Sequence, residues 1–335
     1  MHEKVIILFL TINLPIIFFY NKIVNKLNIF DYADGIRKLH KNKVPLFGGI
    51  IIIYNVIIFS FFNEFLEINI DDFFFNIREY FSFYVGLVFL FLIGIYDDKY
   101  NLSANKKLFF NFFIILSIIL ADDNLLISNL KFIIFNSPVE LKNLSYFFSI
   151  LCILLFINAL NMFDGINFQA GFYCILIFCY FLIKDLYAFF SIILILCLIL
   201  FLIFNFLNKC FLGDSGTQVL AFIISYILIK SHNINNLISP EEIFILLSFP
   251  GLDMFRLFIQ RILINKHPFH PDTNHMHHLI SARHGKFYAF IIIQVIIIAN
   301  ILSFYIFENK YISLSYVVIS YILILINFKT NKFKF

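Results

Sequence analysis

Five polar clusters stand at the ends of apolar runs in this chain, and each is built from residue types that handle phosphate or metal. They are Arg37-Lys-Leu-His40-Lys41-Asn-Lys-Val-Pro-Leu-Phe-Gly48-Gly49, Asp97-Asp98-Lys99, Asn158-Ala-Leu-Asn161-Met-Phe-Asp164-Gly165, Phe211-Leu-Gly-Asp214-Ser-Gly216 and Pro271-Asp-Thr-Asn-His275-Met-His277-His278. Adjacent carboxylates such as Asp97 and Asp98 repel unless a cation or hydrogen bonds offset them. A Mg2+ ion takes one or two carboxylates, with substrate phosphate and water completing its shell. Asp97 and Asp98 therefore suit a metal and phosphate site, with a purely structural pair as the alternative. Gly-Asp-Ser-Gly at the start of an expected helix presents free backbone N–H groups, a geometry that suits phosphate; a plain turn is its alternative. Asn158, Asn161 and Asp164 are three apart and share one helical face. His275, His277 and His278 leave three possibilities open. They form an anion pocket, a zinc site, or a solvated loop; zinc is disfavoured by the missing i, i+4 spacing and the lack of a nearby cysteine.

These clusters must be held by lipid-embedded helices. Of 335 residues, 61% are hydrophobic and only 14% charged, against about 45–50% and about 25% in soluble domains. A soluble enzyme, a disordered chain and a nucleic-acid binder are excluded. What remains is an all-α, polytopic transmembrane helical bundle, a single domain over residues 1–335. Apolar runs of bridging length lie at roughly 5–24, 48–66, 80–96, 106–121, 144–160, 168–183, 187–207, 217–230, 242–264, 288–307 and 311–328, which gives eleven spans, or ten without the ninth, which Arg256 and Arg261 interrupt. The first run has no cleavage site after it and reads as an anchor. The five cysteines form no CxxC or Cys/His pattern. The 49 phenylalanines, with no tryptophan, reflect compositional bias and are expected to fill lipid-facing surface.

Orientation follows from Lys and Arg. Eighteen of the 25 fall on the side reached after the first span, and seven on the other. The richer side is cytoplasmic, which puts the N-terminus outside and the C-terminus inside. All five clusters then face the cytoplasm, as one composite site. The acidic pairs Asp71-Asp72 and Asp122-Asp123 fall in outer loops, where solvated charge is the expectation.

The five motifs, in this order, resemble the polyprenyl-phosphate N-acetylhexosamine-1-phosphate transferases, most closely their WecA-like branch. The resemblance covers about residues 5–285. It implies an MraY-like bundle in the bacterial inner membrane that moves an N-acetylhexosamine-1-phosphate from a UDP-sugar, UDP-GlcNAc by default, to undecaprenyl phosphate. UMP is released and a cell-envelope glycan such as O-antigen is begun. By the same resemblance Asp97 and Asp98 match the essential acidic pair, and Asp214 with Asp97 falls to Mg2+ or Mn2+. Asn158, Asn161, Asp164, Phe211, His275, His277 and His278 fall to the nucleotide-sugar, with Phe211 placed to stack on uracil. Arg37, His40, Lys41, Gly48 and Gly49 form a supporting loop, and a homodimer is allowed. Two positions depart from the family: Asn167 stands where an aspartate is usual, and Thr217 where a serine is. The run of three adjacent histidines found in the related translocases is absent. An ion-coupled transporter is the competing class; its charged groups belong near the midplane in repeated, broken helices, and neither feature is seen.

Overall fold

The computed structural model describes residues 2–32, 43–65, 74–234, 236–268 and 272–328. Among these the chain forms twelve α-helices. They are α1 (His2–Leu27), α2 (Gly48–Phe65), α3 (Ile77–Tyr100), α4 (Ala104–Ala121), α5 (Ser145–Phe163), α6 (Gln169–Ile183), α7 (Ala188–Phe206), α8 (Gly213–Asn233), α9 (Pro240–Leu263), α10 (Met276–His284), α11 (Lys286–Ile306) and α12 (Lys310–Phe328). Two minimal antiparallel hairpins join them, β1 (Phe30–Asp31) with β2 (Val44–Pro45), and β3 (Asn129–Leu130) with β4 (Val139–Glu140). Each of the eleven expected runs falls on one helix, so the all-α polytopic class holds. Seven helices are long and apolar enough to cross a bilayer, and Gly48–Phe61 and Gln169–Ile183 are shorter apolar helices. The twelfth helix, α10, is short and carries the histidines.

Helix ends decide where the polar clusters sit. At the start of α3 the Asn76 side chain accepts the Glu79 N–H; at its end Asn101 adopts φ 52° and donates its N–H to Asp97 O. That left-handed stop leaves Asp97 and Asp98 in the last turn. A reciprocal capping box of Ser239 and Glu242, with Pro240 behind it, starts α9. These side chains satisfy N–H groups that a helix start leaves without partners.

The chain divides into two compact units, residues 1–122 with 170–223, and 123–169 with 224–335. In the first, α2 packs on α1 and α7, and α3 packs on α4. Phe9, Phe59, Phe189, Ile193 and Cys197 make one buried cluster there. Asn13 and Asn55 exchange two amide hydrogen bonds of 2.7 and 2.9 Å between α1 and α2, the polar contact that joins helices in lipid. In the second unit α9 is central, packing on α5, α11 and α12, while α10 packs on α11 and α12. Ile245, Phe304 and Val317 form part of its core.

Some expectations change. Phe18, Phe81 and Phe109 are exposed, as lipid-facing residues should be, but Phe83, Phe178, Phe181 and Phe222 are fully buried. Phenylalanine therefore builds core as well as surface. Asp122 is not solvated loop charge: it ends α4 and is 1% exposed. Lys230, a charge at the end of the eighth apolar run, lies fully buried with its Nζ 5.3 Å from the Tyr226 ring centroid. Asp71 and Asp72 lie outside the described residues. The Asp122-Asp123 pair thus separates into a buried member and an exposed one. Asp122→Asn should lower stability by roughly 1–3 kcal/mol, since a buried carboxylate loses its bonding pattern; Asp123→Asn should stay within about 0.5 kcal/mol. Thermal unfolding of the detergent-solubilised variants checks this, and equal effects would contradict the assignment.

Candidate active site

In the first unit three of the five clusters meet. The segment before α8 is stitched to the one before α2: Phe211 N donates to Pro45 O, Gly48 N to Phe211 O and Gly49 N to Leu212 O, at 2.9, 3.0 and 3.2 Å. The α8 N-terminus is then capped from another helix. Asp98 Oδ1 accepts the Asp214 N–H at 2.7 Å, and Oδ2 accepts the Ser215 N–H at 3.1 Å and hydroxyl at 2.8 Å. A carboxylate in the last turn of α3 meets the unfavourable end of its own helix dipole, and the positive end of α8 offsets it. Gly213 is required at this junction. Its φ is +74°, and an added Cβ would lie 2.7 Å from Asp98 Oδ2.

Asp97 is placed differently. Its Oδ1 accepts Leu102 N at 2.6 Å, and its Oδ2 lies 2.9 Å from Lys107 Nζ. The same ammonium bonds Asp214, and the Asp97 and Asp214 carboxylates lie within hydrogen-bonding reach of each other. Two acids thus share one cation. The Asp214 side chain is 30% exposed, against 12% for Asp97, so it is the open member. Among the described residues no group of three His, Cys, Asp or Glu side chains converges. Asp97 and Asp214 are two carboxylates that could hold a metal, a donor set compatible with Mg2+, which takes one or two carboxylates and keeps waters.

In the second unit the other two described clusters meet. Asn158, Asn161 and Asp164 follow one another down the end of α5, half-buried, and Asp164 ends that helix. Asn158 Nδ2 donates to Leu154 O at 2.7 Å. Gly165 lies so close to the His277 ring that a Cβ would overlap it. His275 sits at the N-terminus of α10, with its ring stacked on His277 at 5.4 Å between centroids and 12° between planes; His277 and His278 are 4.3 Å apart. The solvated-loop reading of the histidines fails here: His275 and His277 are buried, and His277 Nε2 has no partner. Burial, with His275 and Lys286 adding, pushes the His278 imidazole down to about 4. His277 lies well below the ordinary range, through burial first and then its histidine neighbours. Burial alone would raise the Asp272 carboxyl, but bonds from Arg261 Nε and the Asn274 N–H, both 2.8 Å, hold it below the usual range.

Arg37, His40 and Lys41 lie outside the described residues. Lys107, Ser215, Asp253, Arg256 and Arg261 belong to the two sites and were not singled out from the sequence. A signal existed for most: charge inside an apolar run is costly and marks function or pairing. Arg256 and Arg261 register in the sequence as charges that interrupt the ninth span.

The glycosyl transferase family 4 model matches residues 80–232. The chain is 27% identical over 276 residues to the undecaprenyl-phosphate alpha-N-acetylglucosaminyl 1-phosphate transferase of Shigella flexneri, covering 79% of this chain and 72% of that protein. It is 25% identical over 299 residues to the protein of the same name from Yersinia pestis, covering 84% and 76%. A probable undecaprenyl-phosphate N-acetylglucosaminyl 1-phosphate transferase of Bacillus subtilis is 28% identical over 278 residues, covering 78% and 72%.

The histidine shifts have a sign. A free imidazole titrates near about 6.5, and His277 and His278 titrate below that when folded. The unfolded chain therefore binds more protons in acid. Their contribution is intact above about pH 6.5 and is lost as pH falls toward 4. The unfolding midpoint of the ligand-free protein should drop across that window, and His278→Gln should make the drop shallower. An unchanged slope in His278→Gln would contradict the burial assigned to it.

Proposed function

From the match to the glycosyl transferase family 4 model over residues 80–232 and the similarity to the named relatives, we propose that the chain transfers N-acetylglucosamine-1-phosphate from UDP-GlcNAc to undecaprenyl phosphate. The observation that carries this reading is the pair of carboxylates, Asp97 and Asp214, held by a single ammonium beside a helix N-terminus. Such a site is built for phosphate chemistry under cation control, and the named relatives supply the substrates. They are sugar-1-phosphate transferases, and a transporter finds no support among them.

In this mechanism an oxygen of the lipid phosphate attacks the sugar-bearing phosphorus of the donor. The bond from that phosphorus to the bridging oxygen breaks, and UMP leaves. An anion attacking a pyrophosphate is opposed by charge, so positive groups must be fixed beforehand. Asp97 and Asp214 would hold Mg2+, which when bound supplies positive charge against the pyrophosphate and the departing UMP. Asp98 is committed to the α8 N-terminus by three hydrogen bonds, so the proton of the lipid phosphate falls to Asp97. Lys107, 2.9 Å from Asp97 Oδ2, sets the direction of that carboxylate. Within the second unit, neutral His277 and His278 are N–H donors of the kind that binds a phosphate group. A neutral imidazole donating to an anion still makes a charge-assisted bond. The Lys and Arg asymmetry supports a cytoplasmic face for the acidic site, where soluble UDP-GlcNAc meets a lipid phosphate that stays in the bilayer.

The protein reconstituted in vesicles containing undecaprenyl phosphate should release UMP from UDP-GlcNAc and should not do so without the lipid. Asp97→Asn should slow this at least about a hundredfold, the lower range for loss of a proton-transfer group. Release of UDP in place of UMP, or an Asp97→Asn enzyme at full rate, would overturn the assignment.

A further inference from the structure

One charged group in the second unit has no part in the mechanism above. Asp253 lies in the middle of α9 and is 4% exposed. An ionised side chain so placed is costly unless donors surround it. Four do. Oδ1 accepts Arg256 Nη2 at 2.7 Å, the Tyr321 hydroxyl at 2.9 Å and Met276 N at 3.2 Å; Oδ2 accepts His275 Nδ1 at 3.0 Å. Arg256 is itself fixed, by Nε to the Tyr321 hydroxyl at 2.9 Å and Nη2 to Asn274 O at 2.7 Å.

The network joins α9, α12 and the start of α10. His275 makes no side-chain cap on α10. Asp253 does that work instead, accepting the first helical N–H while holding the imidazole before it. A carboxylate bound to one ring nitrogen selects the tautomer and raises the basicity of the other. His275 Nδ1 is occupied, so Nε2 is the nitrogen left for a ligand. The ring beside it is His277, whose Nε2 is buried without a partner.

We propose that Asp253 is the positioning residue of the histidine set: it pins His275 through Nδ1–H and fixes the ring so that Nε2 is the nitrogen turned to the donor pyrophosphate. This rests on the histidines binding the UDP-sugar phosphates. The charged and titratable groups around His275 are Asp253 and Arg256 from α9, Tyr321 from α12, His277 and His278 from α10, and Asp272 from the preceding loop. Of these Asp253 makes the direct bond. Arg256 is turned toward Asp253, and Asp272 is engaged by Arg261.

The test measures KM for UDP-GlcNAc against pH in full-length protein in vesicles with undecaprenyl phosphate. Asp253→Asn should raise KM about tenfold or more at pH 8, the loss expected for a charge-assisted bond, while kcat stays within about threefold. A KM profile superimposable on that of the unmodified protein overturns the proposal. Should Asp253→Asn fail to fold, nitrogen NMR of the histidine-labelled native protein decides, with the His275 signal assigned by His275→Gln. A proton on Nδ1 at pH 8 is expected, and a proton on Nε2 with bare Nδ1 overturns it. If His275→Gln and His277→Ala leave KM unchanged, the phosphate-binding role fails, while the tautomer still decides whether Asp253 positions the ring.

Discussion

A carboxylate at the wrong end of a helix is the constraint from which the acidic site follows. Asp97 and Asp98 occupy the last turn of α3, where backbone carbonyls already concentrate negative charge. Each acid is rescued from outside its helix. Asp98 is taken up by the N-terminus of α8, which fixes the Gly-Asp-Ser-Gly turn against α3. Asp97 is taken up by Lys107 at the start of α4, which also reaches Asp214. One acid thereby becomes architecture and the other stays available for chemistry. Adjacent residues of the same type take different roles because only one of them faces a helix start.

The histidine site solves the opposite problem. His277 and His278 are held where protonation is expensive, and burial keeps both imidazoles below their ordinary range. Burial keeps water away from the His277 ring, which is 2% exposed. It also leaves His277 Nε2 without a partner, a cost that a ligand would remove. Buried polar atoms without partners are uncommon in native proteins and often mark function. Arg261, bound to Asp272 at 2.8 Å and to Pro268 O at 2.7 Å, ties down the loop that leads into this set.

Much of this was legible in the residues alone. Apolar runs located eleven of the twelve helices, since lipid imposes length and hydrophobicity on a span. The twelfth, α10, is short and polar, and a run of histidines does not carry a helical pattern. Motif spacing singled out residues that the fold brings together within each unit, but not their grouping. That Asp98 caps α8 while Asp97 shares Lys107 depends on side-chain direction at the end of α3, which two adjacent aspartates do not encode. Asp253, Arg256 and Tyr321 were hidden for a related reason. They lie 68 residues apart at the extremes, and each alone resembles an interruption of an apolar helix. Asp122 shows the converse error, since a charge at a span end was read as solvated when the fold encloses it.

The central claim is that Asp97 and Asp214 act as one cation site. The most direct measurement is equilibrium binding of Mn2+ to the purified protein by electron paramagnetic resonance, in a double-mutant cycle. Asp97→Asn and Asp214→Asn should each weaken binding about tenfold or more, and the double variant should be little worse than either single one, because groups that share a ligand are not additive. Strictly additive losses, or unchanged binding in Asp97→Asn, would mean that the two carboxylates serve separate purposes and that the shared site does not exist.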